Sequence, residues 1–440
     1  MANPNDRQRE VTRAGNYFIS NYPPYSFWKP EFVGNALEAL DKLPWAGTPM
    51  GLYVHIPFCR KRCHFCYFKV YTRQRATEIQ EYLDAVIAEL DLYLEYDFVG
   101  GRKPHFVYLG GGTPSYLSTD QFSSFAEKLQ KRLPWNASRE VTMECEPGTL
   151  SAKKLEAMRR QGVTRLSLGV ENFDERILAI NGRAHGSREI QQAWEWIQAQ
   201  GFPQVNLDLI AGMLEESDGN WRRCVEMTVA MRPQSVTVYQ MEVPFNTTIF
   251  QRMKEEGGLM PPVADWPTKR RWVDYAFREL EKAGYDVVSS YTAVRRGTKA
   301  SFVYRDALWR GADLLSIGVS SFGHINGTHL QNEQNLKLYL ERVQAGELPI
   351  HRALSPSRKE LMIRELILQF KLGRIRPAYF EEKFGVDIAG EFSDQLGELR
   401  QEGYLMAEDE ELVLSRNALL RVDSLLPAFF LPRHRDARYV

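Results

Sequence analysis

Three cysteines within eight residues, Cys59, Cys63 and Cys66, stand in C-x3-C-x2-C spacing, and the 440-residue chain holds five cysteines in all. Thiolates are ligands for soft metals, and two chemistries compete for these three. One is a tetrahedral zinc site, with His64 as the local candidate for a fourth ligand. The other is a four-iron cluster held by three thiols, which leaves one iron open for a cofactor or substrate. Adjacent side chains rarely converge on one tetrahedral ion, and His64 abuts Cys63. Location favours the cluster: the cysteines follow the first strand of a β/α series, where a cofactor sits and a structural zinc knuckle has no need to be. Cys145 and Cys224 lie outside the motif and read as buried small hydrophobes. Five is an odd, low count, which excludes a disulfide framework and fits a reducing, cytoplasmic setting.

Further residues carry chemistry of their own. Gly110-Gly111-Gly112 forms a turn directly after a strand, where small residues let backbone groups approach a ligand. Glu144 ends a strand, and a carboxylate there faces the ligand side of a β/α sheet and suits ribose hydroxyls. Glu146 reads instead as a solvated loop acid. Asp208 falls inside the buried-strand pattern Val205-Asn206-Leu207-Asp208-Leu209-Ile210, where an unpaired carboxylate is costly and a partner is required.

These residues need a scaffold, and the hydropathy pattern supplies one. Short apolar runs at 52–56, 106–109, 141–144, 165–170, 205–210 and 235–240 read as strands covered on both faces. Helical periods lie between them. Ile79, Leu83, Val86, Ile87, Leu90 and Leu94 trace one apolar face, and Phe122, Phe125, Leu129 and Leu133 another, with Ser118 or Thr119 as its N-cap. Six β/α units in series imply a parallel sheet whose strand ends converge on one ligand-binding face. Residues 1–50 read as an arm across the body, 51–350 as the β/α unit with an extension carrying strands at 287–291 and 314–319, and 355–440 as a C-terminal unit. That unit has helices at 361–370, 377–384 and 392–403 and a hairpin at 404–406 and 412–414, a winged-helix-like pattern. Its 391–411 stretch is acid-rich, unlike a DNA-reading face.

Composition narrows the partners. An apolar fraction of 44% and a charged fraction of 25% are globular values. Fifty-six basic residues balance 56 acidic ones, which argues against a dedicated polyanion binder and leaves no nucleic-acid partner to expect. No apolar run approaches the 18 or so residues of a membrane span. The polar residues 1–10 lack the apolar core of a signal peptide.

The run Tyr53-Val54-His55-Ile56-Pro57-Phe58-Cys59, followed by Cys63-His64-Phe65-Cys66, resembles the radical S-adenosylmethionine (SAM) superfamily. Within it the chain is similar to the oxygen-independent coproporphyrinogen III dehydrogenase family. The relatives of that family include heme chaperones, heme-degrading enzymes and two-SAM C-methylases and cyclopropanases. Ser20-Asn21-Tyr22-Pro23, Gly110-Gly111-Gly112-Thr113-Pro114, Leu166-Ser167-Leu168-Gly169-Val170 and Asp208-Leu209-Ile210 extend the resemblance along the chain. It implies an α/β fold, a partial (β/α)6 barrel with a helical, winged-helix-like C-terminal domain. It also implies a [4Fe-4S] cluster on Cys59, Cys63 and Cys66, with SAM on its open iron. Gly111, Gly112 and Thr113 would then meet the methionine amine, Arg183 its carboxylate, and Glu144 the ribose. Asp208 and Tyr53 would complete the SAM pocket, and Phe65 would stack on adenine. A second SAM is looked for at Tyr239-Gln240-Met241-Glu242 and at residues 318–322. The electron would come from a donor such as flavodoxin or ferredoxin.

The chain departs from this pattern in three places. Phe68 stands where the family has a further cysteine, and Glu171 where it has glutamine, which still offers acceptors to ribose. Of an asparagine-tyrosine-tryptophan heme motif, only the tryptophan, Trp309, is matched within Arg305-Asp306-Ala307-Leu308-Trp309. The leading expectation is therefore radical C-methylation or cyclopropanation of a small molecule with a second SAM. Coproporphyrinogen III oxidation stands second and heme carriage third. No residue is assigned as the catalytic acid or base.

Overall fold

In the computed structural model, which describes residues 12–255, 257, 263–408, 410–435 and 437, each of the six apolar runs is a strand. They are β1 (Met50–Ile56), β2 (Phe106–Gly111), β3 (Glu140–Cys145), β4 (Arg165–Glu171), β5 (Gln204–Ala211) and β6 (Ser235–Gln240), parallel and paired in chain order. The intervening periods are helices. They include α1 (Val33–Leu40), α2 (Ala76–Leu94), α3 (Thr119–Arg132), α4 (Ala152–Arg160), α5 (Ser187–Gln200), α6 (Asp218–Met231) and α7 (Trp266–Lys282). The N-cap of α3 is Ser118, whose hydroxyl accepts from the Gln121 N–H while the Gln121 side chain returns to the Ser118 N–H.

The sheet is larger than six strands. Tyr285–Val287 (β7) and Thr292–Arg295 (β8) form an antiparallel edge beside β6. The single strand expected at 287–291 is thus two strands around a turn: the Ser289 hydroxyl accepts from the Tyr291 and Thr292 N–H groups and bends the chain there. On the far side of β1, Asp313–Ile317 (β9) adds a seventh parallel strand and ends at Gly318, whose φ of +102° suits glycine. Phe322–Ile325 (β10), Thr328–Asn332 (β11) and Ile350–Leu354 (β12) continue antiparallel from it. Among the described residues the two outer edges do not pair, so the barrel stays open.

The arm and the C-terminal elements close over this body. Tyr22 and Trp28 are buried, and Trp28 stacks on His329 with ring centroids 5.0 Å apart. Residues 1–10, read above for a targeting signal, lie outside the described residues. Toward the C-terminus come α8 (Arg358–Phe370), α9 (Pro377–Phe384) and α10 (Ser393–Gln401). They surround a separate apolar core, and a small sheet joins Arg374–Ile375 to the hairpin Leu405–Glu408 and Glu411–Leu414. Among the described residues no helix is long and apolar enough to cross a membrane.

Candidate active site

The loop after β1 is held in place by its own backbone. Phe58–Cys59 bridges in parallel to Tyr71–Thr72, and the Tyr71 N–H donates to the Pro57 carbonyl. Cys59, Cys63 and Cys66 all line one cavity of about 1600 Å³ inside the open barrel. Thr113 Oγ1 donates to Cys59 Sγ at 3.3 Å, and Arg183 Nη1 to Cys63 Sγ at 3.2 Å. Burial pushes the Cys59 thiol up to about 12 and the Cys66 thiol to about 11, so binding of a metal must displace their protons.

The donor set fits an iron–sulfur cluster and not a zinc ion. His64 Nδ1 lies 2.8 Å from the Ile180 carbonyl, to which it donates, and Gly182 packs so closely on the ring that a Cβ there would meet it at 2.7 Å. His64 does not line the cavity that the three thiols share, so it is not placed as a fourth zinc ligand. Among the described residues no three His, Cys, Asp or Glu side chains converge as ligands of a single ion do. A cluster distributes its ligands over separate irons and needs no such convergence.

Acids and glycines build the adjoining wall. Glu144 accepts the Tyr108 hydroxyl at 2.7 Å and the Gly111 N–H at 3.0 Å. Gly111 has φ +111°, and a Cβ there would strike the His55 ring at 2.5 Å, so only glycine allows the turn to approach. Asp208 accepts from Ser167 Oγ at 2.8 Å and from Asn206 Nδ2 at 2.9 Å, which supplies the partners its burial demands. Glu171 sits at a register shift between β4 and β5 with φ +63°, and its Oε1 lies 3.7 Å from Arg183 Nη2. A non-glycine residue in that conformation carries strain of about 1–3 kcal/mol, a feature that clusters at functional sites. Burial raises Glu144 and Glu171 to about 7 and Asp208 to about 6. Arg183 is buried too; burial opposes its charge, but Cys63, Glu171 and Glu146 outweigh it and hold the guanidinium charged.

Most of the residues singled out from the sequence meet here. Phe65, Gly111, Gly112, Thr113, Glu144, Glu171, Arg183 and Asp208 line the cavity with the three cysteines, as do Tyr239, Gln240, Met241 and Glu242. Glu242 is pushed up to about 8 by burial and accepts the Tyr17 N–H.

Three expectations need correction. Tyr53 is not on the cavity wall: its ring stacks on Tyr108, centroids 5.9 Å apart, and its hydroxyl lies 3.2 Å from His55 Nδ1. The 318–322 segment is not on the wall either, because the Gly318 N–H is tied to Glu89 and its Cα packs on Tyr82 and His55. Glu146 is no solvated acid: it is 7% exposed and faces Arg60 at 3.6 Å and His185 at 3.8 Å. Cys145 and Cys224 are buried free thiols, although Cys145 also touches the cavity.

Sequence reasoning missed Arg165, the first residue of β4. It is 1% exposed, stacks on Phe302 at 4.1 Å and lines the cavity with Nε and Nη1 unpaired. A charged residue opening a strand reads as solvated, so no local signal marks it. Arg13, Arg421 and Asp423, from the arm and the C-terminal segment, also line the cavity for reasons of tertiary packing alone.

An open parallel barrel with three thiols beside a glycine- and acid-lined cavity is the arrangement of a radical SAM enzyme, and residues 53–228 match the Radical SAM superfamily. The chain is 25% identical to the oxygen-independent coproporphyrinogen III oxidase of Synechocystis sp., over 85% of this chain and 82% of that one. It is 30% identical to the heme chaperone HemW of Escherichia coli, over 64% of this chain and 71% of that one. The solved structure of coproporphyrinogen III oxidase (HemN) from Escherichia coli superposes with a TM-score of 0.82 at 22% identity, covering 94% of this chain and 96% of that chain, a likeness of fold. The chain belongs to the oxygen-independent coproporphyrinogen III oxidase-like family of radical SAM enzymes, which use a [4Fe-4S] cluster and SAM.

Proposed function

We propose that this enzyme oxidatively decarboxylates the propionate side chains of a tetrapyrrole, with coproporphyrinogen III as the first candidate. The cavity carries this reading. At about 1600 Å³ it exceeds the 300–1,000 Å³ or so of ordinary small-ligand pockets, leaving room for a large substrate beside SAM. Arg13, Arg165, Arg421 and Arg435 line it, and guanidinium is the group best suited to carboxylates. Arg165 lies close enough to Glu144 and Asp208 to act on their charges, yet two of its buried nitrogens have no hydrogen-bond partner, and a propionate would supply one. The relatives named above are oxidases and a heme chaperone, so the oxidase reading takes precedence over the C-methylation or cyclopropanation expected from Phe68. Heme carriage has less in its favour, since Trp309, its one matching residue, is covered by the Arg305 guanidinium at 5.2 Å.

Cys59, Cys63 and Cys66 would hold the cluster, and Gly111, Gly112, Thr113, Glu144, Arg183 and Asp208 would hold SAM, with Phe65 and Glu171 beside them. When bound, the two groups together supply a 5′-deoxyadenosyl radical. The protein's own work is orientation and exclusion of water. Glu144 is fixed by Tyr108 and the Gly111 N–H, and Asp208 by Ser167 and Asn206, so their carboxylates meet the ribose without reorganising. Arg183 bridges the cluster loop and Glu171 and is poised for the methionine carboxylate. A propionate becomes a vinyl group by giving one hydrogen atom to the 5′-deoxyadenosyl radical and one electron to an added one-electron acceptor as the C–C bond to CO2 breaks, so no general base at the carbon is needed.

The test is anaerobic incubation of the reduced, cluster-loaded enzyme with SAM and coproporphyrinogen III. Vinyl products, CO2 and 5′-deoxyadenosine are expected. Formation of S-adenosylhomocysteine without CO2 would overturn the proposal in favour of methylation.

A further inference from the structure

Among the described residues seven carboxylates line the cavity, and six of them are accounted for. Glu144 and Asp208 are bonded at the cofactor end, Glu171 faces Arg183, and Glu146 faces Arg60 and His185. Glu402 is exposed to solvent. Asp423 is consumed by Lys371, the Ile19 N–H and the Tyr291 hydroxyl. The seventh is Glu242, half-buried just past the C-terminal end of β6. Its Oε2 accepts the Tyr17 N–H at 3.0 Å, while Oε1 has no partner among the described residues. The cations that act on it are engaged elsewhere. Lys269 donates to the Met241 carbonyl and the Thr12 hydroxyl, and Lys371 to Asp423 and the Ile19 carbonyl. Burial raises the Glu242 carboxyl to about 8; Asp423 adds to the rise, and the Tyr17 N–H, Lys269 and Lys371 oppose it. The protein's own groups therefore leave this charge undercompensated. Around it Tyr67, Phe68 and Tyr239 present exposed rings on the cavity wall. Burial first and Glu242 next raise the Tyr67 hydroxyl, so that ring stands within electrostatic reach of the acid.

We infer that Glu242 is the acceptor for the pyrrole N–H groups at the centre of the substrate macrocycle. A reduced tetrapyrrole has two kinds of polar group: carboxylates at its periphery and N–H donors at its centre. The arginines of the cavity suit the first and cannot accept from the second. Glu242 supplies what they lack, an anionic oxygen fixed from behind by the Tyr17 N–H and flanked by rings on which pyrroles can lie. The inference rests on the tetrapyrrole reading and deepens it. It makes the site selective for a ring whose centre carries N–H donors over a ring with the same carboxylates and a metal in their place, because an acceptor left unpaired in the cavity is costly.

The variant Glu242→Gln tests it. Its amide oxygen can keep the Tyr17 N–H, which turns the amide NH2 toward the cavity and sets donor against donor. Two probes are compared on the cluster-loaded enzyme by anaerobic equilibrium dialysis. Coproporphyrinogen III carries central N–H groups. Palladium(II) coproporphyrin III carries the same carboxylates, has no N–H, and holds a square-planar metal that takes no further ligand. The variant should bind coproporphyrinogen III about tenfold more weakly or worse, as the loss of a charge-assisted hydrogen bond requires. Its affinity for the palladium complex should equal that of wild type, and so should the amount of SAM bound per chain. Unchanged coproporphyrinogen III affinity would overturn the inference. Equal weakening of both probes would overturn it too, by assigning Glu242 to the cavity wall. A fall in SAM bound per chain would overturn it by assigning the carboxylate to SAM. Failure of the tetrapyrrole reading itself would look different: wild type would bind neither probe and release no CO2.

Discussion

Replacing Glu171 by glutamine isolates the acid that sets this chain apart from the family pattern. Burial lifts its carboxyl from an ordinary 4.5 to about 7, with Asp208 and Glu144 adding to the rise and Arg183 opposing it. Because the folded-state value lies above the unfolded one, the protonated form belongs to the folded protein. Its contribution is whole below pH 4.5 or so and is lost as pH climbs through 7. From these two values the group contributes a loss of about 2 kcal/mol of stability between pH 5.5 and 8. Glu171→Gln has no such titration. It also relieves the repulsion that Glu171 exerts on Asp208 and Glu144, which acts in the same direction. Urea unfolding of the iron-free protein should therefore show the variant gaining about 2 kcal/mol on wild type over that window, with little difference at the acid end. Parallel curves for the two proteins would refute the description of Glu171 as a buried, incompletely compensated acid.

Cys63→Ala should abolish the broad visible absorbance after anaerobic iron and sulfide reconstitution while leaving the far-ultraviolet circular dichroism unchanged; a full cluster in the variant would refute the ligand assignment. Phe68 lines the cavity at 45% exposure and packs on Tyr67, centroids 4.4 Å apart, so it offers a ring to an incoming substrate. Phe68→Ala should raise substrate KM by about tenfold, the value of one lost aromatic contact, with SAM affinity unchanged by equilibrium dialysis. Asp423 pairs with the wholly buried Lys371 at 2.7 Å and accepts from the Ile19 N–H and the Tyr291 hydroxyl. Asp423→Asn strands that cation and should cost about 3 kcal/mol in urea unfolding; a cost below about 1 kcal/mol would mean the pair is not structural.

What could be read from the sequence divides along physical lines. The six parallel strands were legible because burial on both faces makes them continuous apolar runs, and the α3 cap was narrowed to Ser118 or Thr119, between which the bond from the Gln121 N–H to the Ser118 hydroxyl decides. The cysteines, glycines and Asp208 announced themselves through spacing or through a polar residue in an apolar run. Glu146, Tyr53 and Arg165 did not, since each is defined by a partner far along the chain: Arg60 and His185, Tyr108, and Phe302. The closure of the cavity was equally hidden. The Ile19 N–H reaches Asp423 across 404 positions, a pairing without local pattern. The edge at 285–295 misled because a serine turn interrupts an otherwise β-rich stretch.

The interior of β4 to β6 explains why these carboxylates can stay in place at all. A closed β/α barrel usually fills its axis with branched aliphatics. Here Asn206 donates to Ser167 and Asp208 and accepts from Ser235 at 2.9 Å and Thr237 at 3.0 Å, and Ser167 donates on to Asp208. Such a network adds little net stability, since each bond replaces one to water. It does fix orientation, because any member that rotates leaves a buried partner unsatisfied at about 1–3 kcal/mol. Three strands are thereby locked in one arrangement around Asp208. The open edge lets the cavity extend to the arm and the C-terminal segment, where Arg13 and Arg421 line it. Rigidity is thus concentrated at the Asp208 end of the cavity, and the other end is built from segments far apart in the chain.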